Sequence, residues 1–339
     1  MRAITFGEVM LRLATPGHLR FNQASVLEMT FGGGEANVAV SLAQFGDEAT
    51  FVTRLPRNDI AEACIQQLRG FGVETRPILR GGERMGIYFL ETGASQRAST
   101  VTYDRGHSAI AEVDPAELDW TAILDGGHWF HFTGITPALS DRAARAVLDG
   151  IQAAKQLGLT VSCDLNYRKK LWTPERAQQV MSGLMPHVDY CIGNEEDAEK
   201  VFGIKAAGAE VSQGKIDRDR YVDVAAQLTE RFGLQGVAIT LRESYSASRN
   251  GWSGVYFHGG HACFSRRYEV DIVDRVGGGD AFAAGFIHAQ GAEQAPQQVI
   301  DFAVAASCLK HTIPGDYNRV NLGEVEALLG GDGSGRVQR

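Results

Sequence analysis

The chain lacks the patterns that mark several common classes of protein. Its 339 residues include only five cysteines and no Cys-x-x-Cys pair, which argues against a disulfide framework and a structural zinc site. The nine histidines contain no His-Glu-x-x-His pattern. No Gly-x-Gly-x-x-Gly run follows the first predicted strand, where Gly7 leads into Glu8 and Val9, so a Rossmann dehydrogenase is disfavoured.

Basic stretches and long apolar runs are also missing. A net charge of −8 argues against a nucleic-acid partner, which would call for a basic patch. No apolar run approaches the roughly 20 residues that span a bilayer, so we expect no membrane partner. The N-terminal stretch MRAITFGEVMLRL alternates apolar and polar residues, as a strand does and a signal peptide does not. We therefore expect a cytoplasmic protein.

What is present is an alternation of strand-like and helix-like segments. Strand-like runs cover residues 3–6, 49–54, 86–91, 128–132, 160–164, 190–193 and 237–241, and amphipathic stretches cover residues 60–71, 141–157, 174–185 and 221–232. Strands separated by helices form βαβ units, whose parallel sheet is covered by helices on both faces. The sequence therefore predicts an α/β fold of three layers with a mostly parallel central sheet.

Two regions interrupt this alternation. Residues 12–30 and 83–107 have strand-like or irregular sequence without a crossover helix, and they could pair as a small second sheet. We expect them to form an inserted β lid over a core made of residues 1–11, 31–82 and 108–330. The glycine-rich residues 331–339 are expected to be a flexible tail.

The strongest local motif is DRVGGGDAFAAGF at residues 274–286. Glycines that lead into a helix N-terminus allow an anion to approach converging N–H groups, and the helix dipole adds positive potential. Gly277, Gly278 and Gly279 therefore predict an anion site. Asp280, in the first helical turn, is either a capping carboxylate or a base that accepts a proton from a substrate hydroxyl.

A second glycine run, residues 32–34, opens another predicted helix. Gly33 and Gly34 could expose backbone to a polyhydroxy ligand. Asn37 could hydrogen-bond a ligand hydroxyl or stabilise the turn.

With both motifs in this order, the chain resembles the ribokinase (PfkB) family of carbohydrate kinases over nearly its whole length. The resemblance implies a ribokinase-like three-layer α/β/α fold with a β lid, and ATP with Mg²⁺ as the donor system. It also implies that Asp280 is the catalytic base and that the amides of Gly277 to Asp280 form an anion hole. The alternative is a non-catalytic sugar sensor that retains this fold.

Segments in the middle of the chain narrow the substrate. Residues 103–105, 132–139 and 164–168 resemble those of 2-keto-3-deoxygluconate kinases, which implies phosphorylation of that sugar acid to its 6-phosphate. By this resemblance Arg105 and Arg168 hold the acid, and Tyr88 and Tyr103 line the pocket. A guanidinium can bind a carboxylate through two parallel hydrogen bonds. A kinase for a neutral ketose, fructokinase-like, or for another sugar acid is the alternative.

The resemblance also assigns the donor side. Glu196 and Asp197 are expected to support magnesium through water, with Asp197 in place of the family's glutamate. The loop at residues 240–246 carries bulky side chains where the family has glycine, so the donor nucleotide stays open. Dependence on a monovalent cation also stays open, and exposed strand edges favour a homo-oligomer, a dimer or higher. The expected nucleotide-binding residues are Asn166, Asn194, Thr240, Arg242, Gly277, Gly279, Ala306 and His311.

Overall fold

The computed structural model describes residues 1–205 and 218–331. Its strands are β1 (Arg2–Phe6), β2 (Met10–Ala14), β3 (Glu28–Gly32), β4 (Glu48–Val52), β5 (Arg54–Leu55), β6 (Leu79–Arg80), β7 (Gly86–Glu91), β8 (Thr100–Asp104), β9 (Trp129–Thr133), β10 (Thr160–Asp164), β11 (Tyr190–Gly193), β12 (Gly236–Ser244), β13 (Arg249–His258), β14 (His261–Phe264) and β15 (Tyr268–Asp271). Its helices are α1 (Gly34–Gln44), α2 (Asp59–Gly70), α3 (Trp120–Leu124), α4 (Ile135–Leu139), α5 (Asp141–Gln156), α6 (Pro174–Leu184), α7 (Glu195–Phe202), α8 (Arg218–Phe232), α9 (Gly278–Gly291), α10 (Pro296–Lys310) and α11 (Leu322–Leu329).

The main sheet has nine strands, in the order β14-β13-β12-β11-β10-β9-β1-β4, with β15 also paired to β13. All neighbours from β12 to β4 are parallel, whereas β13, β14 and β15 pair antiparallel at one end. Parallel strands need crossover connections, which the helices between them supply.

Apolar side chains are buried on both faces of this sheet. Ala3 of β1 belongs to a core with α1, α2, α9 and α10, while Ile4 and Phe6 belong to a second core with α5, α6 and α8. Successive residues of a strand face opposite sides, so one strand contributes to both cores. The predicted three-layer α/β/α architecture is confirmed.

Strands β3, β2, β7 and β8 form a second sheet in that order. It joins the two segments that interrupt the alternation, and β2 runs antiparallel to β3 but parallel to β7. The predicted bounds at residues 12 and 30 need correction, because pairing begins at Met10 and ends at Gly32. Met10 and Leu11 are buried apolar residues, so their sequence resembles that of the core.

Two further expectations concern the C-terminal tail and membrane-spanning helices. Of the expected tail, Gly331 lies in a turn and residues 332–339 fall outside the described part of the chain. Within residues 1–205 and 218–331, no helix has the length and hydrophobicity needed to cross a bilayer.

The two glycine-led helices, α1 and α9, pack against each other, and this contact brings their N-termini together.

Candidate active site

A cavity of about 440 Å³ opens between the two sheets and the N-termini of α1 and α9. It collects most of the residues that the sequence proposes for sugar, nucleotide or metal. These are Gly33, Gly34, Asn37, Tyr88, Tyr103, Arg105, Asn166, Arg168, Asn194, Glu196, Asp197, Thr240, Arg242, Gly277, Gly279, Asp280 and His311.

Two proposed residues do not line this cavity. Ala306 is fully buried in α10, where it packs against Gly285 of α9, so its side chain is part of the core and its contact with nucleotide stays a prediction. Gly278 is buried against the ring of His311, which a Cβ at that position would meet at 2.5 Å. Because α10 is buried almost all round, its apolar pattern does not reveal which face meets the cavity.

Asn37 joins the two glycine motifs. Its Nδ2 donates a hydrogen bond of 2.6 Å to Oδ2 of Asp280, and its Oδ1 accepts one of 3.2 Å from the N–H of Gly33. A Cβ on Gly34 would lie 3.6 Å from the other Asp280 oxygen, so the carboxylate sits directly against the start of α1. Asn37 therefore stabilises the turn, as one of the two predictions for it expects, and it also orients the Asp280 carboxylate. Its predicted hydrogen bond to a ligand hydroxyl stays a prediction.

Residues 274–280, which comprise the loop before α9 and the first three residues of that helix, are here called the anion loop. Gly277 caps α9 with φ of 82°, in the left-handed region, and a Cβ there would lie 2.1 Å from the carbonyl oxygen of Asp316. The N–H of Gly278 donates to the carbonyl of Arg275 at 3.3 Å, so the expected four-amide hole loses one donor. Within the described residues the amides of Gly277, Gly279 and Asp280 have no protein acceptor, and they remain available to an anion.

The environment of Asp280 tunes its acidity. Burial raises the pKa of the Asp280 carboxyl to about 6, although the hydrogen bond from Asn37 favours the ionised form. The charge of Asp316 raises this pKa further, whereas Arg168 and Lys310 lower it. A carboxylate with a pKa near the working pH suits a general base, because it is ionised and yet accepts a proton readily.

On the second-sheet side, Tyr88 and Tyr103 face each other with ring centroids 6.1 Å apart. The Tyr88 hydroxyl donates to Oδ1 of Asp316 at 2.6 Å. The guanidinium of Arg105 lies over the Tyr103 ring, 5.2 Å from its centroid, and pairs with the buried carboxylate of Glu8. Glu8 therefore offsets the charge of Arg105, and sequence reasoning missed it because it follows the first strand as an isolated acid.

Three other arginines line the cavity without an ion pair among the described residues: Arg168, Arg242 and Arg275. Arg275 donates to the carbonyl of Ala247 at 3.2 Å, and burial together with the charge of Arg242 lowers its pKa. These arginines place positive charge on the wall of a cavity that is also lined by carboxylates: Asp164, Glu196, Asp197, Asp280 and Asp316.

The expected magnesium residues gather at the start of α7. Asn194 caps the helix by accepting from the N–H of Asp197 at 2.9 Å, and Asp197 accepts from the N–H of Tyr167 at 3.1 Å. Burial raises the pKa of Asp197 to about 6, and Arg168 opposes this rise. No group of three or more His, Cys, Asp or Glu side chains within the described ranges could hold a metal ion directly.

The remaining donor-side residues lie toward β12 and α10. His311 packs against Trp252 with ring centroids 4.8 Å apart and the ring planes tilted by 59°, and its Nδ1 contacts the carbonyl oxygen of Ser307 at 2.7 Å. Burial lowers the pKa of His311 to about 4, so the ring is neutral. Asn166 has φ of 37°, a strained value for a non-glycine residue, and such strain is concentrated at functional sites.

Several polar residues next to the cavity escaped sequence reasoning. Glu35, fully buried, accepts hydrogen bonds from Thr133 and Thr136, and burial raises its pKa to about 7. Asp164 lines the cavity at the end of β10. Their positions in the sequence could have indicated them. Glu35 directly follows the glycine run, and Asp164 ends a strand whose carboxyl end faces the site.

Comparison with known proteins agrees with this geometry. A model of the pfkB family of carbohydrate kinases matches residues 2–321. The chain is 33% identical over 334 residues to a 2-dehydro-3-deoxygalactonokinase of Haloferax volcanii, covering 98% of each chain. It is 28% identical over 335 residues to a 2-dehydro-3-deoxygluconokinase of Thermoproteus tenax, covering 96% of this chain and 93% of that one.

A crystal structure of 2-dehydro-3-deoxygluconokinase from Thermotoga maritima has the same fold, with a TM-score of 0.94 and 50% identity. The match covers 97% of this chain and 98% of that one. The family model spans almost the whole chain. In this chain the expected base, Asp280, lines the same cavity as Gly277 and Gly279 of the anion loop. The chain belongs to the pfkB family of carbohydrate kinases.

Proposed function

We propose that this kinase transfers the terminal phosphoryl group of ATP to the terminal hydroxyl of 2-keto-3-deoxygluconate, also called 2-dehydro-3-deoxygluconate, giving the 6-phosphate. The observation that carries the proposal is the meeting of Asp280, the free amides of the anion loop and the unpaired Arg168 in one cavity. The names of the relatives support the same class of acceptor.

In the proposed reaction the sugar hydroxyl oxygen attacks the terminal phosphorus while the bond to the bridging oxygen of ATP breaks. The hydroxyl proton passes to the Asp280 carboxylate, and ADP leaves with the bridging oxygen. The amides of Gly277, Gly279 and Asp280 stabilise the charge on the transferred group. Asn37 orients the base through its 2.6 Å hydrogen bond.

Recognition of the acid end is assigned chiefly to Arg168. The charge of Arg105 is already offset by Glu8, so a carboxylate ligand gains less from it. Arg168 has no direct ion pair within the described residues, and the carboxylates of Asp197 and Asp280 act on it only at longer range, so its guanidinium nitrogens stay available to an anion. In this proposal Arg105 and Tyr103 shape the wall beside the sugar, with Gly33 and Gly34 leaving bare backbone opposite.

Magnesium fits the cavity as an ion held through water. Asp164, Glu196 and Asp197 all line the cavity, and their carboxylate oxygens are the ligands this ion prefers. Since no group of three or more His, Cys, Asp or Glu side chains among the described residues could hold a metal, waters would complete the coordination, and Mg²⁺ characteristically keeps several. When bound, the ion would neutralise phosphate charge during transfer.

A coupled assay of ADP release, run with a panel of acceptors, tests the proposal. The panel holds the gluconate and galactonate forms of the 2-dehydro-3-deoxy acid and neutral ketoses such as fructose. We expect turnover of a sugar acid, and a loss of about 10²- to 10⁴-fold in Asp280→Asn. Turnover of neutral ketoses alone would establish the fructokinase-like alternative, and binding without turnover would establish a sensor.

A homo-oligomer remains part of the proposal. Exposed apolar side chains concentrate in the segment that joins β2 to β3 and in β3 itself: Leu19, Phe21, Val26, Leu27 and Met29. The outer strands β3 and β8 also present open edges. Sedimentation equilibrium tests for association, and a monomer at all protein concentrations would contradict it.

Assays with and without K⁺ decide the open question of a monovalent cation.

A further inference from the structure

A buried ion cluster lies directly behind the anion loop. The guanidinium of Arg12, on β2 of the second sheet, donates to Oδ2 of Asp274 at 2.6 Å and to Oδ1 of Asp316 at 2.7 Å. Tyr88, on β7 of the same sheet, donates to the same oxygen of Asp316. All three side chains are buried: Arg12 is 5% exposed, Asp274 7% and Asp316 4%.

Both carboxylates belong to the loops that shape the anion site. Asp274 also accepts from the N–H groups of Val276 at 3.0 Å and Gly315 at 3.0 Å, so it holds the two loops side by side. Asp316 belongs to the second of these loops, which follows α10. Its carbonyl oxygen would lie 2.1 Å from a Cβ on Gly277, whose amide is one of the free donors.

A second buried cation completes the cluster. The ammonium of Lys310 is fully buried, 3.4 Å from the carbonyl of Asp274 and 3.2 Å from that of Ile313. Two cations and two carboxylates therefore balance in charge within this cluster. Lys310 reaches the anion loop from α10, at the carbonyl of Asp274, whereas Arg12 is the cation that reaches it from the second sheet.

Stability alone gives a weak reason for such a bridge. Burying two ion pairs costs solvation that their attraction often only repays, and apolar residues of similar volume can replace them without loss. The distinctive feature is topology: one guanidinium from the second sheet fixes both loops around Gly277. A planar group with parallel donors imposes a defined geometry on two carboxylates, which a flexible ammonium does not.

We propose that Arg12 is a positioning residue for phosphoryl transfer: it sets the anion loop from the second sheet, so that the Gly277 amide is correctly placed only while that sheet is docked. The inference rests on the proposed function of the same site. It adds that the sheet carrying Tyr88 and Tyr103 also governs the phosphoryl end of the cavity.

The test compares Arg12→Ala with Arg97→Ala. Arg97 is the matched control because it lies in the connection between β7 and β8 of the second sheet and pairs with a carboxylate, Glu91, at 3.0 Å, away from the anion loop. We expect kcat to fall by about 10- to 100-fold in Arg12→Ala, since misplacement of a transition-state donor by 1 Å can cost this much. KM for the sugar should change far less, and Arg97→Ala should keep wild-type kcat.

Chemical rescue separates positioning from mere stability. Millimolar guanidinium should restore part of kcat in Arg12→Ala, because it can occupy the vacated bridge, and should do nothing for Arg97→Ala. Equal kcat in the two alanine variants, or loss of kcat in a natively folded Arg12→Ala without rescue, would overturn the inference. If Arg12→Ala does not fold, Arg12→Lys is the deciding variant, because lysine keeps the buried charge but can bridge only one carboxylate. Near-ultraviolet circular dichroism checks that this variant is natively folded. Full kcat in the folded variant contradicts the inference, and reduced kcat supports it.

The acceptor in these assays is whichever sugar the wild type phosphorylates. A wild type without activity on sugar acids therefore contradicts the proposed substrate and leaves the comparison of Arg12 with Arg97 intact on another acceptor.

Discussion

At the scale of single residues, the neighbours of Asp280 decide whether it can act as a base. A carboxylate at a helix start is usually a cap, and its ordinary pKa would leave it a poor proton acceptor near neutral pH. Burial raises the pKa of Asp280 to about 6, while Asn37 keeps one oxygen oriented and favours the charged form. These two opposing effects produce a base that is ionised at pH 7 and still basic enough to use.

The pH dependence follows from these directions. Because only the ionised carboxylate accepts the hydroxyl proton, kcat/KM should fall as pH drops through about 6. Asn37→Leu removes a hydrogen bond that lowers the pKa, so the acidic limb should move to higher pH. Asn58→Ala is the control, since Asn58 caps α2 by accepting from the N–H of Ala61 and lies outside the cavity. An unmoved limb in Asn37→Leu would refute this account.

The two arginines on the sugar side should behave differently. Arg168→Gln should raise KM for the sugar acid by about tenfold or more, as expected for a lost hydrogen bond to a charged group, and leave thermal stability unchanged. Arg105→Gln should instead destabilise the fold by about 3–5 kcal/mol, because it leaves the Glu8 carboxylate buried without its partner. Thermal unfolding and acceptor kinetics on both variants check this, and Glu8→Gln in the Arg105→Gln background should restore stability. Similar effects on KM from both variants would contradict the division of roles.

At the scale of elements, the helix start of α9 depends on one glycine more than on the others. Gly277 has φ of 82°, and its Cβ would lie 2.1 Å from the carbonyl oxygen of Asp316, whereas nothing lies within 4 Å of a Cβ on Gly279. Gly277→Ala should therefore lower the free energy of unfolding by at least about 1–2 kcal/mol from backbone strain alone.

Gly279→Ala provides the matched comparison for stability. It lies in the first turn of α9, where alanine has a helix propensity up to about 1 kcal/mol better than glycine, so the free energy of unfolding should stay equal or rise. Urea unfolding of the two variants measures the difference. Equal destabilisation would show that the left-handed backbone at Gly277 is not a constraint.

Elements also mark where sequence reasoning succeeds and where it ends. Strands such as β7, β10 and β11 were predicted with their bounds, because short apolar runs between turns identify buried strands. Ala306 was assigned to the nucleotide by resemblance alone, and its burial against α9 depends on the fold. Met10 and Leu11 were assigned differently from the pairing that the structure shows, because a buried strand of the second sheet resembles a strand of the core.

The partners of the site residues were harder to predict than the residues themselves. The glycine motifs predict the anion loop and the proposed base, yet Glu8, Arg12 and Asp316 lie outside these motifs and have none of their own. Their roles depend on which side chains the fold brings within 3 Å, and only the three-dimensional arrangement contains that information.

At the scale of the whole molecule, a chain of net charge −8 has a cavity wall bearing Arg168, Arg242 and Arg275. Raising the ionic strength from about 0.1 M to about 1 M shortens the Debye length from about 10 Å to about 3 Å. KM for ATP should therefore rise with salt, and Arg242→Gln should raise KM at low salt and flatten this dependence. Arg249→Gln is the control, since Arg249 forms an exposed ion pair with Glu269 and does not line the cavity. A salt dependence that survives unchanged in Arg242→Gln would contradict the assignment.

The hydrogen bond between Asn37 and Asp280 joins residues 243 positions apart. During translation, α1 leaves the ribosome long before α9, which begins at Gly278 of 339 residues. The proposed base is therefore synthesised long after the helix whose Asn37 orients it. A polypeptide whose synthesis stops before Asp280 contains Asn37 but lacks this carboxylate, so we expect such a product to consume no nucleotide.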